Sequence, residues 1–170
     1  MNNRQSRNKR NISSKGTDEE KLIERVIKVE RVSKVTKGGK KLSFQAVAVV
    51  GNGKGKVGIG IGKASDVINA VRKAKLAGKK NLINIPITKS LSITHDVNIN
   101  FSACKIIMRP AIEGSGVIAG SSIRTVFEVA GIKNVIAKKL GSKNSMNNAI
   151  ASVNGLKTLL TKSLILKRRN

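Results

Sequence analysis

GNGKGKVGIGIGK, residues 51–63, places six glycines and three lysines in one short run. Gly53 to Gly58 satisfies the G-x-G-x-x-G spacing of dinucleotide-binding loops, but such a loop must turn a strand into a helix so that the pyrophosphate meets the helix N-terminus. Here the glycines lead into strict alternation, with Val57, Ile59 and Ile61 on one side and Gly58, Gly60 and Gly62 on the other. That is the period of a strand. The phosphate-loop pattern of nucleotide hydrolases fails as well: Val57 stands where its first glycine belongs, and Ala64 follows Lys63 where magnesium requires a hydroxyl. The segment predicts a turn feeding a strand whose bare face admits a helix at close range. Lys54, Lys56 and Lys63 bracket it, and a loop without side-chain bulk lets phosphate approach its N–H groups.

Upstream, Arg25–Val35 and Leu42–Val50 are β-branched runs separated by TKGGK, whose paired glycines read as a hairpin turn. Before them, TDEEKLIERV gathers acids behind Thr17 and reads as a short helix start. Downstream, Ser65 and Asp66 are N-cap candidates for a helix running to Ala77, with Gly78 as its stop. Val67, Ile68, Val71 and Ala74 form its expected buried stripe, and Arg72, Lys75 and Lys79 a cationic side. The first half is thus a helix, three antiparallel strands and a helix, the order of a double-stranded-RNA-binding module.

Pro86 and a change of pattern put a boundary near residues 82–90. Strands are expected over Leu91–Ile99 and Ala103–Arg109, then a glycine-rich loop ending in a Ser121 or Ser122 cap. The next helix buries Ile123, Val126, Phe127 and Ala130 and stops at Gly131. A strand carries Ile132, Val135 and Ile136, and a last helix from near Ser145 buries Met146, Ile150, Val153, Leu156 and Leu160. The whole reads as an α+β chain.

Charge narrows the function. The 170 residues hold 34 Lys plus Arg against 9 Asp plus Glu, a formal net charge of +25. Self-repulsion of that size opposes compaction unless an anionic partner supplies countercharge. Hydrophobic residues make up 39% before the 16 glycines are counted, which reaches the roughly 45–50% of globular domains and argues for a core. Positive clusters recur without acids: the first sixteen residues, Lys37–Lys41, Lys54–Lys63, Arg72–Lys80 and the final LKRRN. A nucleic acid is the simplest partner, and neutralising six to ten phosphates would weaken binding by roughly 10³–10⁵ between 50 and 200 mM salt. With no Trp, no Tyr and Phe44, Phe101 and Phe127 in apolar patterns, base stacking on exposed rings is not available. Structured RNA, read through shape and phosphate position, fits better than single strands.

Catalytic chemistry has little to work with. His95 and Asp96 form the one candidate dyad, and the nearest nucleophile, Cys104, occupies an interior strand position. A lone cysteine excludes a disulfide framework or a thiolate metal cluster. No metal or cofactor is expected, and no apolar run reaches the length of a membrane span. The opening residues lack a secretory signal's apolar segment.

RVSKVTKGGKKLSF (31–44), VVGNGKGKVGIGIGKASDV (49–67) and MRPAIEGSGVIAGSSIRTVFEVAGIKNVIAKKLGSKNSMNNAIASVNGL (108–156) together resemble the family of ribosomal small-subunit protein five. The resemblance implies a basic arm (1–17), a double-stranded-RNA-binding-like α-β-β-β-α domain (18–84), a C-terminal βαβ-type domain with a left-handed crossover (85–163) and a basic tail (164–170). It implies a non-enzymatic constituent of the small subunit that binds its rRNA, stabilises the arrangement of head and body, and influences accuracy together with proteins four and twelve. Implied partners are proteins four and eight, with protein three nearby along the path by which messenger RNA enters; neither a membrane nor a second copy of the chain is implied. The hairpin Ser33–Lys41 matches the family's segment near the spectinomycin site.

Carried onto this chain, the expected RNA-binding residues are Arg31, Ser33, Lys34, Lys37, Gly38, Gly39, Lys40, Lys41, Asn52, Lys54, Lys56, Lys63, Arg72, Lys75 and Arg109. Glu113, Gly114, Ser115, Gly116 and Arg124 are expected at the contact with protein four. The chain departs from the family's pattern at Ser121 and Ser122, where glycines are common, at Ile59 and Ile61, where aromatics are frequent, and at Ser145, where proline is usual. KKNLINIPITKSLSITH (79–95) is similar to the plastid and cyanobacterial branch, which implies a plastid ribosome rather than a bacterial cytoplasm. The competing readings are a nucleotide-dependent enzyme and a free double-stranded-RNA chaperone.

Overall fold

A computed structural model describes residues 22–161 and 165–167. Three long strands open it: β1 (Ile23–Thr36), β2 (Gly39–Gly51) and β3 (Lys56–Ala64), followed by helix α1 (Val67–Lys80) and the short β4 (Ile83–Asn84). These form an antiparallel sheet in the order β1-β2-β3-β4. The helix expected behind Thr17 lies partly outside the described residues, and its second half is corrected: from Ile23 the chain is already strand, paired with Gly51. Alternating Val, Ile and charged residues favour the pleated ladder over a helix that would have to bury Lys and Glu.

The side of the β2–β3 pair that faces α1 is made of small residues, with Ala46 opposite Gly62 and Ala48 opposite Gly60. Its complement on α1 is Ala70, Ala74 and Gly78. A Cβ at Gly58, Gly60 or Gly62 would collide with the carbonyl oxygens of Gly78, Ala74 and Ala70 respectively. The helix therefore lies directly on strand backbone, as the bare face predicts. Two expectations are corrected by the same geometry. Of the expected stripe, Ala74 is buried and Val71 packs half-buried against it, but Val67 and Ile68 are outside, because branched chains do not fit so narrow a gap: Ile68 is 83% exposed. Gly78 is not the stop either, since it packs inside the helix against Val50 and the cap is Asn81.

The second half comprises β5 (Val97–Phe101), β6 (Cys104–Pro110), β7 (Val117–Ile118), helix α2 (Ser121–Ala130), β8 (Val135–Gly141) and helix α3 (Ser145–Lys157). Its sheet runs β5-β6-β8-β7, with β7 and β8 parallel and α2 between them in sequence, a βαβ unit. Ile123, Val126, Phe127 and Ala130 are buried as expected, and Gly131 ends α2 in the left-handed conformation with φ 89°. The cap differs: Gly120 takes that position and neither Ser121 nor Ser122 caps by its side chain. The strand expected from Leu91 begins at Val97 instead, with Ser92 held in a single bridge to Asn134. Helix α3 is capped by the Asn144 carboxamide, which accepts from the Met146 N–H at 3.1 Å. Its small residues, among them Ala149, Ala151, Ser152 and Gly155, are buried beside Val153 and Leu156.

One core joins both halves. Val49, Val57 and Ile85 share a cluster with Ile106, Met108, Val126, Phe127, Val129 and Leu156. The join is sewn by backbone: Gly53 donates to the Val129 carbonyl (3.1 Å) and Gly55 to that of Ala130 (2.9 Å), while Ile85 donates to that of Gly55 (2.7 Å) within the first half.

Candidate nucleic-acid interface

The β2–β3 ladder ends at Phe44 opposite Ala64, whereas the β1–β2 ladder continues to Thr36 opposite Gly39. Residues 32–43 therefore stand beyond the third strand as a two-stranded ribbon, with Arg31 at its base. Its tip is Lys37-Gly38, closed by the Thr36 hydroxyl donating to the Gly39 carbonyl at 3.0 Å. The register sets Lys34 directly across from Lys41, Ser33 across from Leu42 and Arg31 across from Phe44. Like charges in that position repel. Lys63, opposite Gln45, falls on the same side of the sheet as Lys41, and a groove of about 490 Å³ is lined by Ser33, Lys34, Lys41, Ser43, Lys63 and Ser65, among others. None of Arg31, Lys34, Lys37, Lys40, Lys41 or Lys63 has an ion-pair partner among the described residues.

The glycine loop is built for another purpose than the one read from its composition. Asn52 donates its N–H to the Lys56 carbonyl (3.2 Å), and its carboxamide oxygen accepts from the N–H groups of Lys54 (2.9 Å) and Lys56 (3.0 Å). Gly53 and Gly55 donate across to α2 as described. Every amide from 52 to 56 is thus committed within the chain. The expectation that these N–H groups stand open to a phosphate is corrected to that extent: each already has an acceptor within the chain. What the loop offers outward is the exposed Lys54 side chain.

On α1, Lys75 and Lys79 converge on Glu24 of β1, at 3.0 and 2.9 Å. Hydrogen bonds from Lys79 and then Lys75 hold the Glu24 carboxyl below its ordinary value. Lys75 is therefore already paired, whereas Arg72 is exposed beside Val67, Ile68 and Val71 in a shallow groove. Arg109, on β6, pairs with Asp96 at 3.3 Å. His95 bonds through Nδ1 to the Thr94 hydroxyl (3.0 Å), Asp96 faces Arg109, and Cys104 is 1% exposed, so the structure does not assemble the candidate dyad with its nucleophile.

Glu113 to Gly116 form an exposed loop with Gly114 and Gly116 at positive φ. Asn134 anchors it, accepting from the Gly114 N–H (3.2 Å) while donating to the Ser90 carbonyl (2.7 Å). Arg124 is engaged by Glu128 (3.1 Å), which also takes Arg25 of β1 at 3.1 Å. Sequence reading missed Glu24, Arg25 and Asn134, because their partners lie tens of residues away and carry no local pattern, and it missed Glu128, although the i,i+4 spacing from Arg124 was a local signal.

A basic ribbon without acidic partners, on an α+β body, defines a protein that presents cations to a polyanion. Among the described residues no cluster of metal-ligating side chains occurs, and no helix is long and apolar enough to cross a membrane. Residues 22–86 match the family model for ribosomal protein S5, N-terminal domain, and residues 99–169 that for ribosomal protein S5, C-terminal domain. The chain is 63% identical to small ribosomal subunit protein uS5c of Phaeodactylum tricornutum, over 99% of this chain and 94% of that one. It is 70% identical to uS5c of Trieres chinensis, over 89% and 82% respectively, and 54% identical to uS5 of a Synechocystis, over 95% and 93%. The chain belongs to the ribosomal protein S5 family, structural constituents of the small ribosomal subunit and not enzymes.

Proposed function

We propose that this protein binds small-subunit rRNA chiefly through the ribbon of residues 32–43 and Arg31 at its base, in the small subunit of a plastid ribosome. The observation that carries the reading is the facing pair Lys34 and Lys41, with Arg31, Lys37, Lys40 and Lys63 around it and no carboxylate among the described residues to neutralise them. An exposed ribbon that sets like charges opposite one another loses stability in the free chain, and phosphates that bridge them return it. Ser33 and the tip residues Gly38 and Gly39 keep the backbone near enough for the same polyanion. Lys54, Lys56, Arg72, Lys75 and Arg109 are auxiliary contacts in this reading, with Lys75 and Arg109 exchanging a carboxylate for a phosphate. The domain limits at residue 84 or 85 belong to the same proposal. Plastid residence is supported by the uS5c relatives of diatoms.

The resemblance extends the proposal to the head–body arrangement, to accuracy together with proteins four and twelve, to a contact with protein four through Glu113–Gly116 and Arg124, and to neighbours eight and three beside the entering messenger. The test is binding to a structured small-subunit rRNA fragment across a salt series. Steeply salt-dependent binding that weakens when Lys34 and Lys41 are both replaced by alanine is the expected result. Binding indifferent to both salt and those lysines would remove the ribbon from the RNA surface, and micromolar ATP or NAD binding in its place would favour the enzyme reading.

A further inference from the structure

The sheet of the second half buries one side against α2 and α3 and leaves the other bare. On the buried side lie Val97, Ile106, Met108, Val135 and Ala137. The bare side alternates with them, and its register is specific: Arg109 lies opposite Ile136, Ile107 opposite Lys138, and Lys105 opposite Leu140. Ile118 of β7 is the parallel partner of Ile136. Each aliphatic residue on β6 and β8 thus has a cation directly across from it, and diagonal neighbours at roughly 7–8 Å link Ile136, Ile107 and Leu140 into a continuous row. Ile118 is 55% exposed, Ile136 44% and Leu140 39%. Lys105 and Lys138 have no ion-pair partner among the described residues.

We propose that this checkerboard is a docking surface for a protein partner whose complementary face alternates aliphatic side chains with Asp or Glu. An RNA backbone would satisfy the lysines but would set four aliphatic side chains against hydrated phosphate, with no gain from their burial. A single strand would look for aromatic rings to stack on, and Phe101 points to the buried side with its partner Cys104. A contiguous apolar row rimmed by charge marks a protein interface, and the free lysines specify the sign of the partner. This surface is separate from the basic ribbon; Arg109, already paired with Asp96, is the one residue it shares with the auxiliary rRNA contacts, and the docking proposal rests on Lys105 and Lys138.

The test uses intact small subunits and the free full-length chain. Hydroxyl-radical oxidation read by mass spectrometry is expected to modify Ile118, Ile136 and Leu140 in the free chain and to spare them in the subunit. A zero-length carbodiimide is expected to join Lys105 or Lys138 to a carboxylate of a different protein. Oxidation equal in both states overturns the proposal. So do photo-crosslinks to rRNA from Lys105, Ile107, Lys138 or Leu140, amides formed only with a second copy of this chain, or protection without any lysine–carboxylate amide. Loss of rRNA binding through the ribbon, measured on the free chain, bears on the functional reading alone and leaves this one standing.

Discussion

Gly131, in the left-handed conformation at the end of α2, lies so close to the carbonyl of Gly53 that a Cβ at position 131 would collide with it. A helix C-cap from the second half and the glycine loop from the first are in contact backbone to backbone. The two matched family segments are thus held by one core and cannot slide independently.

Gly131→Ala is accordingly expected to destabilise the whole chain. Positive φ alone costs about 1–2 kcal/mol for a residue with a Cβ, and forcing the loop off the cap adds roughly 1–3 kcal/mol. Urea denaturation should show a single transition moved to lower midpoint, and an unchanged midpoint would contradict the contact.

Gly60→Ala and Ile68→Ser make a paired comparison on α1. The first would push a methyl group into the Ala74 carbonyl and lift the helix from the strand, at roughly 1–3 kcal/mol. The second removes a residue that is 83% exposed and should stay within about 0.5 kcal/mol. Thermal melts of the two variants distinguish backbone-level packing from a stripe of branched side chains.

Glu24 links acidity to stability. Its folded pKa lies below the ordinary carboxylate value because Lys79 and Lys75 bond to the ionised form. The stabilisation is therefore present above the unfolded pKa and is lost as pH falls through the folded one. Glu24→Gln should be less stable than the parent at neutral pH, by at most about 1 kcal/mol for partly exposed pairs, and the difference should vanish in acid. Denaturation midpoints at the two pH values check it.

At the ribbon tip, Lys37→Ala with Lys40→Ala should lower the slope of log K against log salt by about 2 while leaving the fold intact. Gly39 has φ 137° and open space around it, so Gly39→Val strains the turn. Gly38 has no such constraint, and Gly38→Val should melt nearer to the parent, contrary to an expectation that treats the paired glycines alike. Far-ultraviolet dichroism on heating separates them.

What the chain order alone determined is whatever repeats locally. The alternation from Val57 to Gly62 specified a strand with a bare face, the β-branched runs specified β1 and β2 around a glycine turn, and the excess of lysine specified an anionic partner, because period and net charge are sums over neighbours. The helix stripe on α1 was misread because branched residues at helical spacing mark burial only when the opposing surface leaves room, and the room is set by glycines on another strand. Likewise, the amides of residues 52–56 were open in the sequence and committed in the structure. Asn52, Lys54 and Lys56 find acceptors within the loop, but those of Gly53 and Gly55, at Val129 and Ala130, come from a distant part of the chain that no local pattern encodes. Arg25 and Glu128, 103 residues apart, meet for the same reason. Only the tertiary fold decided which glycines lie in open space and which face backbone, since contacts across a core depend on distance in space and not along the chain.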